Sequence, residues 1–274
     1  MVTVTGFADE ISPDFDEQLD VMEGEGIRFI ELRGANKKNV IAFTKEECAE
    51  FKKKMKDRGF GISAIGSPIG KVKIDDDFNK HMDDFKHAME LAKFFETPNI
   101  RLFTYYPPEG KDINDYRDEV IRRMKMKVKL AEKAGIMLLS ENEGGVFAES
   151  PENAAYVIEA VNSPNLKNIF DPANFVLHGY DVLQRCWPLL KKHTVYFHIK
   201  DAVRSENRSV PAGEGEGRIK DVLSDAIAGG FTGFLSLEPH LHQGGQFSGF
   251  SGPDKFRLAV RALKKVLDEI GVQY

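Results

Sequence analysis

Residues 136–171 contain Ile136-Met137-Leu138-Leu139-Ser140-Glu141, then a helical pattern opened by Ser150-Pro151, then Asn168-Ile169-Phe170-Asp171. Each outer run has the length and apolar character of a buried strand and ends in an acid. The stretch between them carries apolar residues at three- and four-residue steps, the signature of a helix. Ser150 offers a capping hydroxyl and Pro151 a ring suited to the first helical turn. A strand, a crossover helix and a second strand make a parallel pair. The same alternation extends in both directions. Strands are expected near 2–7, 27–32, 60–65, 99–103, 136–141, 167–171, 194–199 and 233–238. Helices are expected near 13–24, 44–58, 75–95, 113–134, 150–161, 179–191, 218–228 and 253–270. Ser12-Pro13 and the capping-box pattern Thr44-Lys45-Glu46-Glu47 mark helix starts, and Gly24, Gly59, Gly135 and Gly229 mark helix ends.

Eight parallel strands with crossover helices form either an open doubly wound sheet or a closed barrel. The open sheet usually announces itself with G-x-G-x-x-G after the first strand, whereas this first turn reads Gly6-Phe7-Ala8-Asp9-Glu10. The expected fold is therefore a single (β/α)8 TIM barrel spanning residues 1–274. A length of 274 residues suits one barrel, and no Pro/Ser linker or low-complexity tract divides it. The composition is that of a folded, water-soluble chain: 42% hydrophobic, 30% charged, with 20 Phe. A net charge of -5 argues against a nucleic-acid partner, which needs clustered Lys and Arg. No apolar run approaches the roughly 20 residues needed to cross a bilayer. Cys48 and Cys186 are too few for a disulfide framework, which fits a reducing cytoplasm. The opening residues lack the pattern of a signal peptide.

In a TIM barrel the functional face is the C-terminal end of the strands. Four successive strand ends carry Glu141, Asp171, His198 and Glu238. This set of oxygen and nitrogen donors suits Mn²⁺, Mg²⁺, Co²⁺ or Zn²⁺ and contains no thiolate. Strand alternation puts Tyr196, His198 and Lys200 on one side, and Ser236, Glu238 and His240 likewise. Lys200 and His240 then stand one inward step beyond a ligand, positioned for substrate.

These residues resemble the xylose isomerase-like TIM barrels, which include ketose 3-epimerases, hydroxypyruvate isomerase and inosose dehydratase. The resemblance runs along the chain through Ile30-Glu31-Leu32-Arg33, Gly66-Ser67-Pro68-Ile69-Gly70-Lys71, Glu141-Asn142-Glu143, Asp171-Pro172-Ala173-Asn174-Phe175, His198-Ile199-Lys200-Asp201 and Leu237-Glu238-Pro239-His240. It implies one divalent ion, usually Mn²⁺, on Glu141, Asp171, His198 and Glu238. It implies also that Glu141 and Glu238 exchange protons with a sugar or keto-polyol. One residue departs: Asn174 stands where the epimerases and the DNA-repair endonucleases of this fold carry His. An amide is a poor second metal ligand, so a trinuclear zinc site is not expected, and the pattern is closer to the inosose dehydratase branch.

The expected function is thus that of a metal-dependent sugar or sugar phosphate isomerase/epimerase working through an enediolate. An inosose dehydratase-like lyase and a catalytically inactive sugar-binding barrel are the alternatives. Glu31, Arg33, Asn174, Lys200, Arg204 and His240 are the candidate substrate contacts, with Arg204 and Arg208 able to grip a carboxylate or phosphate. Gly213-Glu214-Gly215-Glu216-Gly217 reads as a mobile lid, and residues 243–252 as a sugar-covering or subunit-contacting loop, leaving a homo-oligomer open. His81, His87 and Lys52-Lys53-Lys54 read as solvated helix faces, and Trp187 and Met124-Lys125-Met126 as packing.

Overall fold

The computed structural model describes residues 1–242 and 250–274. The role expected of residues 243–252 falls largely outside those described. The eight barrel strands are β1 Thr3–Gly6, β2 Phe29–Leu32, β3 Gly61–Ile65, β4 Asn99–Leu102, β5 Met137–Glu141, β6 Leu166–Phe170, β7 Thr194–Ile199 and β8 Phe234–Leu237. Parallel ladders join β2 through β8 in order and then β8 to β1. β1 and β2 lie against each other and all but close the ring. Each expected strand is present within a residue or two.

The barrel interior is small. Ala64, Leu139, Ile169 and Tyr196 form its apolar layer, and Thr5 Oγ1 meets Ser63 Oγ at 2.8 Å across it. The alternate residues face out under the helices, where Phe197 packs on Phe170, Trp187 and Phe231. Filling the lower barrel with side chains leaves the strand ends at the top as the one place where several inward polar residues can converge.

The helices are α1 Phe15–Gly24, α2 Lys45–Asp57, α3 Phe78–Phe94, α4 Arg117–Ala134, α5 Pro151–Val161, α6 Pro172–Leu177, α7 Trp187–Leu190, α8 Ile219–Ala228 and α9 Pro253–Glu269. Thr44 and Glu47 form the expected capping box, and Ser150 caps α5. At α1 the cap is Asp14 rather than Ser12. The left-handed residues after α1 and α8 are Gly26 and Gly230 rather than Gly24 and Gly229. The single helix expected over 179–191 is instead a π-turn at Val182–Cys186 followed by α7, and a separate helix, α6, precedes it. α6 starts early because Asp171 accepts a bond from the Asn174 amide while Pro172 supplies the first turn. It carries Asn174 over the barrel mouth. A short hairpin after β7, Asp201–Val203 against Arg208–Val210, adds a rim there.

Candidate active site

The ends of β5 to β8 bring Glu141, Asp171, His198 and Glu238 together, one donor atom from each lying within 4.8 Å of all the others. All four are buried. His198 Nδ1 faces Glu141 Oε1 at 3.0 Å and Glu238 Oε2 at 3.5 Å. Its Nε2 faces Glu31 Oε2 at 3.2 Å, and Glu31 takes a further bond from the Tyr196 hydroxyl at 2.9 Å. A carboxylate behind Nε2 holds a proton there and turns the Nδ1 lone pair toward the other three residues. Glu31 therefore sits beneath the site as the support of His198, apart from the cavity wall.

The carboxylates are balanced by cations that the sequence reading only partly found. Arg33 donates to Asp9 Oδ2 at 2.8 Å and to Glu238 Oε1 at 2.9 Å. Arg101, on an inward position of β4, donates to Glu141 Oε2 at 3.1 Å. Lys200 donates to Asn174 Oδ1 at 2.9 Å and lies 3.6 Å from Asp171 Oδ2 and 3.8 Å from Glu238 Oε2. Lys200 thus turns inward, leaving Asp201 to a separate task. The Asp201 carboxylate accepts bonds from the backbone N–H groups of Ala202, Gly213, Gly215 and Gly217 at 2.8–3.0 Å. A Cβ at Gly215 would come within 2.4 Å of Asp201 Oδ1. The glycine segment expected to be a lid is pinned to the rim by that carboxylate.

These neighbours set the charge states. Burial would lower the His198 pKa, but Glu141 and Glu31 outweigh it and hold the imidazole well above its ordinary value. Burial pushes Asp171 up to about 7. Burial would also raise Glu238, yet Lys200, His240 and His198 hold it well below the usual carboxylate range. Glu238 is thus held ionised, while Asp171 takes up a proton more readily than an ordinary carboxylate.

The donor set fits such an ion on the structure's own terms. Asp171 Oδ2 and Glu238 Oε2 are buried without a hydrogen-bond partner among the described residues, a costly state that coordination would relieve. Two carboxylates of Glu, one of Asp and an imidazole nitrogen are hard-to-borderline ligands.

A cavity of about 530 Å³ opens above the cluster, lined by Glu238, Lys200, Arg33, Arg101, Asn174 and His240, with Lys71, Tyr106, Glu143 and His178 on its far wall. Glu141 is not on that wall. Lys71 and Glu143, which pair at 2.6 Å, carried no assigned role in the sequence reading, nor did Arg101. A charged residue at an inward strand position is the signal that could have singled out Arg101. Arg204 is not brought here: it is exposed and lines a separate cavity beside Gly179, Tyr180 and Arg218. Arg208 is exposed and pairs with Glu206 at 2.6 Å.

A family model described as Xylose isomerase-like TIM barrel matches residues 19–266. The chain belongs to this family. A curated 3-dehydroshikimate dehydratase from Bacillus anthracis is 22% identical over 176 residues, which are 64% of this chain and 62% of that protein. The chain therefore spans less than two thirds of the length of this relative. Among solved structures, the probable 3-DHS dehydratase involved in petrobactin synthesis from Bacillus anthracis superposes with a TM-score of 0.76 at 19% identity, covering 96% of this chain and 99% of that one. A D-tagatose 3-epimerase-like protein gives 0.77 at 15% identity, with 98% of each chain covered. The IOLI protein with a bound zinc atom gives 0.72 at 17% identity, again with 98% of each covered. No helix among the described residues is long and apolar enough to cross a membrane, and both cysteines are buried and free.

Proposed function

We propose that the chain is a cytoplasmic, metal-dependent sugar isomerase that moves a proton at the carbon next to a carbonyl, with Glu238 as the base. The observation that carries this reading is the position of Glu238: ionised, surrounded by Arg33, Lys200 and His198, and alone among the four clustered donors on the cavity wall. Glu141, Asp171, His198 and Glu238 would hold one divalent ion, Mn²⁺ by family resemblance, with Mg²⁺, Co²⁺ and Zn²⁺ also matched to the donors. When bound, such an ion polarises substrate oxygens and stabilises negative charge on them.

The chain's own residues supply the rest. Lys200 and Arg101 present fixed positive charge to the cavity, where negative charge would develop on the substrate oxygen as the proton leaves. Asn174 orients Lys200 through the bond from Nζ to Oδ1. Glu238 removes the proton and, in an isomerisation, returns it to the neighbouring carbon from the same face while the hydroxyl proton passes to the former carbonyl oxygen, so one carboxylate suffices for the carbon-bound proton. Epimerisation needs a second acid–base group on the opposite face of the substrate. Of the two outcomes, isomerisation is the one that Glu238 alone can carry.

A second reading is elimination of a hydroxyl from a keto-polyol, supported by the dehydratase relative and by Asn174. It uses the same first step at Glu238, followed by loss of the neighbouring hydroxyl with a proton from a group on the cavity wall. Both readings meet one test. Keto-sugars, inososes and 3-dehydroshikimate are incubated with Mn²⁺-loaded protein in deuterium oxide and followed by NMR over several turnovers. Deuterium is expected at the carbonyl-adjacent carbon of the accepted compound, falling by about 10²- to 10⁴-fold in Glu238→Gln. Turnover without deuterium uptake, undiminished in Glu238→Gln, would remove Glu238 from the role.

A further inference from the structure

Glu238 has two oxygens, and they look in different directions. Oε2 faces His198 Nδ1 and the centre described above, while Oε1 lies 3.4 Å from His240 Nε2. On the other side of that ring nitrogen stands Glu10 Oε1 at 3.2 Å. Glu10 is fully buried. Its Oε2 is satisfied twice, by the His240 backbone N–H at 2.9 Å and the Ser251 hydroxyl at 2.8 Å. Its Oε1 has no hydrogen-bond partner among the described residues, and neither has His240 Nε2, although the two are close. The separation is right for a hydrogen bond and the alignment is not.

Donors sharing one ion at 2.0–2.2 Å stand roughly 3.0–3.4 Å apart and off each other's axes. His240 Nε2 stands at such distances, 3.2 and 3.4 Å, from the two carboxylates, and the three residues offer donors within 4.8 Å of one another. We propose that Glu10, His240 and Glu238 form a second divalent-cation site, with Glu238 bridging it to the first. It takes a borderline cation of the Mn²⁺, Co²⁺ or Zn²⁺ kind, through two carboxylate oxygens and one imidazole nitrogen, leaving open positions toward the cavity that His240 lines. The site differs from the one lost with Asn174, which lies on the opposite side of the cluster near Glu141.

The local chain is built to hold this geometry. His240 adopts a left-handed backbone at φ 48°, and its own N–H and the Ser251 hydroxyl fix the Glu10 carboxylate from behind. Arg33 shares Glu238 Oε1 and is partnered by Asp9, so it orients the bridging carboxylate. Charge balance agrees. Around the two sites Asp9, Glu10, Glu31, Glu141, Asp171 and Glu238 face the permanent cations Arg33, Arg101 and Lys200. Six carboxylates against three permanent cations leave an excess of acidic groups that divalent ions would offset.

The proposal rests on the first centre through the shared Glu238, and the test reads the two equivalents separately. Chelator-stripped full-length protein is titrated with Mn²⁺, with bound metal measured by calorimetry and elemental analysis and the spin state by EPR. Two equivalents are expected, the second weaker, with exchange-coupled Mn–Mn signals appearing as it binds. Glu10→Gln and, independently, His240→Asn should each bind one equivalent with the first affinity within about threefold of the parent, circular dichroism confirming the fold. Saturation of the parent at one equivalent would overturn the second site and leave the first standing. Two uncoupled or unchanged equivalents in both variants would also overturn it. No binding at all would overturn both centres.

Discussion

At the barrel mouth Glu31, Glu141, Asp171 and Glu238 are buried among Arg33, Arg101, Lys200 and His198, each carboxylate within ion-pair reach of a cation. Under α3 and α4, His81 and Lys127 are buried around Tyr105 on other terms. Lys127 is fully buried and donates to the Tyr105 hydroxyl, its Nζ 4.3 Å from the ring centre. The nearby carboxylate of Glu119 is taken by Arg122 and Arg123. His81 stacks edge-on to Tyr105 at 5.6 Å with Nε2 unbonded among the described residues. One cluster compensates its charges and the other avoids carrying them: burial holds Lys127 well below its ordinary pKa and drives His81 down to about 3. A compensated cluster is costly to break and useful for chemistry. An uncompensated one is cheap to replace.

The largest difference should appear when each cluster loses a base. In the metal-free protein His198→Ala strands Glu31 and Glu141 without their shared cation, and a loss of about 3–5 kcal/mol is expected in urea unfolding with a chelator present. Lys127→Met deprives no carboxylate of a partner and removes a buried amine. It should leave stability unchanged or raise it by about 1–2 kcal/mol. If Lys127→Met proved as damaging as His198→Ala, the two clusters would not differ in kind.

How well each cluster could be read from sequence follows the same division. The mouth was legible because its residues end apolar strands, so Glu141, Asp171, His198 and Glu238 stood out against Leu, Ile and Phe, and alternation placed Lys200 and His240. The eight strands were legible for the same reason. What escaped were charges in places where charge is ordinary. His81 was expected to be solvated, but it continues the buried stripe of Phe85, Ala88 and Ala92 on α3. Lys127 belongs with Val120, Met124, Val128 and Ala131 on α4. In helices rich in Lys and Glu the polar face masks one buried member. The glycine segment at 213–217 escaped because its partner, Asp201, stands 12 to 16 residues earlier in the chain, beyond the reach of a turn pattern. α6 escaped because Asp171 acts as strand end and helix cap together.

The smallest expected effect is in pH dependence, and its sign separates the clusters. His81 has a folded pKa of about 3, set by burial first and then by Lys127 and Arg123, against an unfolded value near 6.5. Below pH 6.5 the unfolded chain therefore binds a proton that the native chain refuses. The stability His81 contributes is complete above 6.5 and is lost as the pH falls toward 3. Asp171 in the metal-free protein runs the other way, because its folded pKa of about 7 exceeds the unfolded value near 3.9. Its native proton is gained as the pH falls through 7, adding stability down to about 4. Comparing the parent with His81→Leu isolates the first slope: the parent should lose about 1 kcal/mol relative to the variant between pH 6.5 and 5.5. Comparing it with Asp171→Asn in chelator should give a slope of opposite sign over the same range. Adding Mn²⁺ should abolish the Asp171 slope, since a coordinated carboxylate no longer takes the proton, and should leave the His81 slope untouched. A His81 slope that vanished with metal would mean that the helix cluster and the mouth titrate as one unit, and the contrast between them would fail.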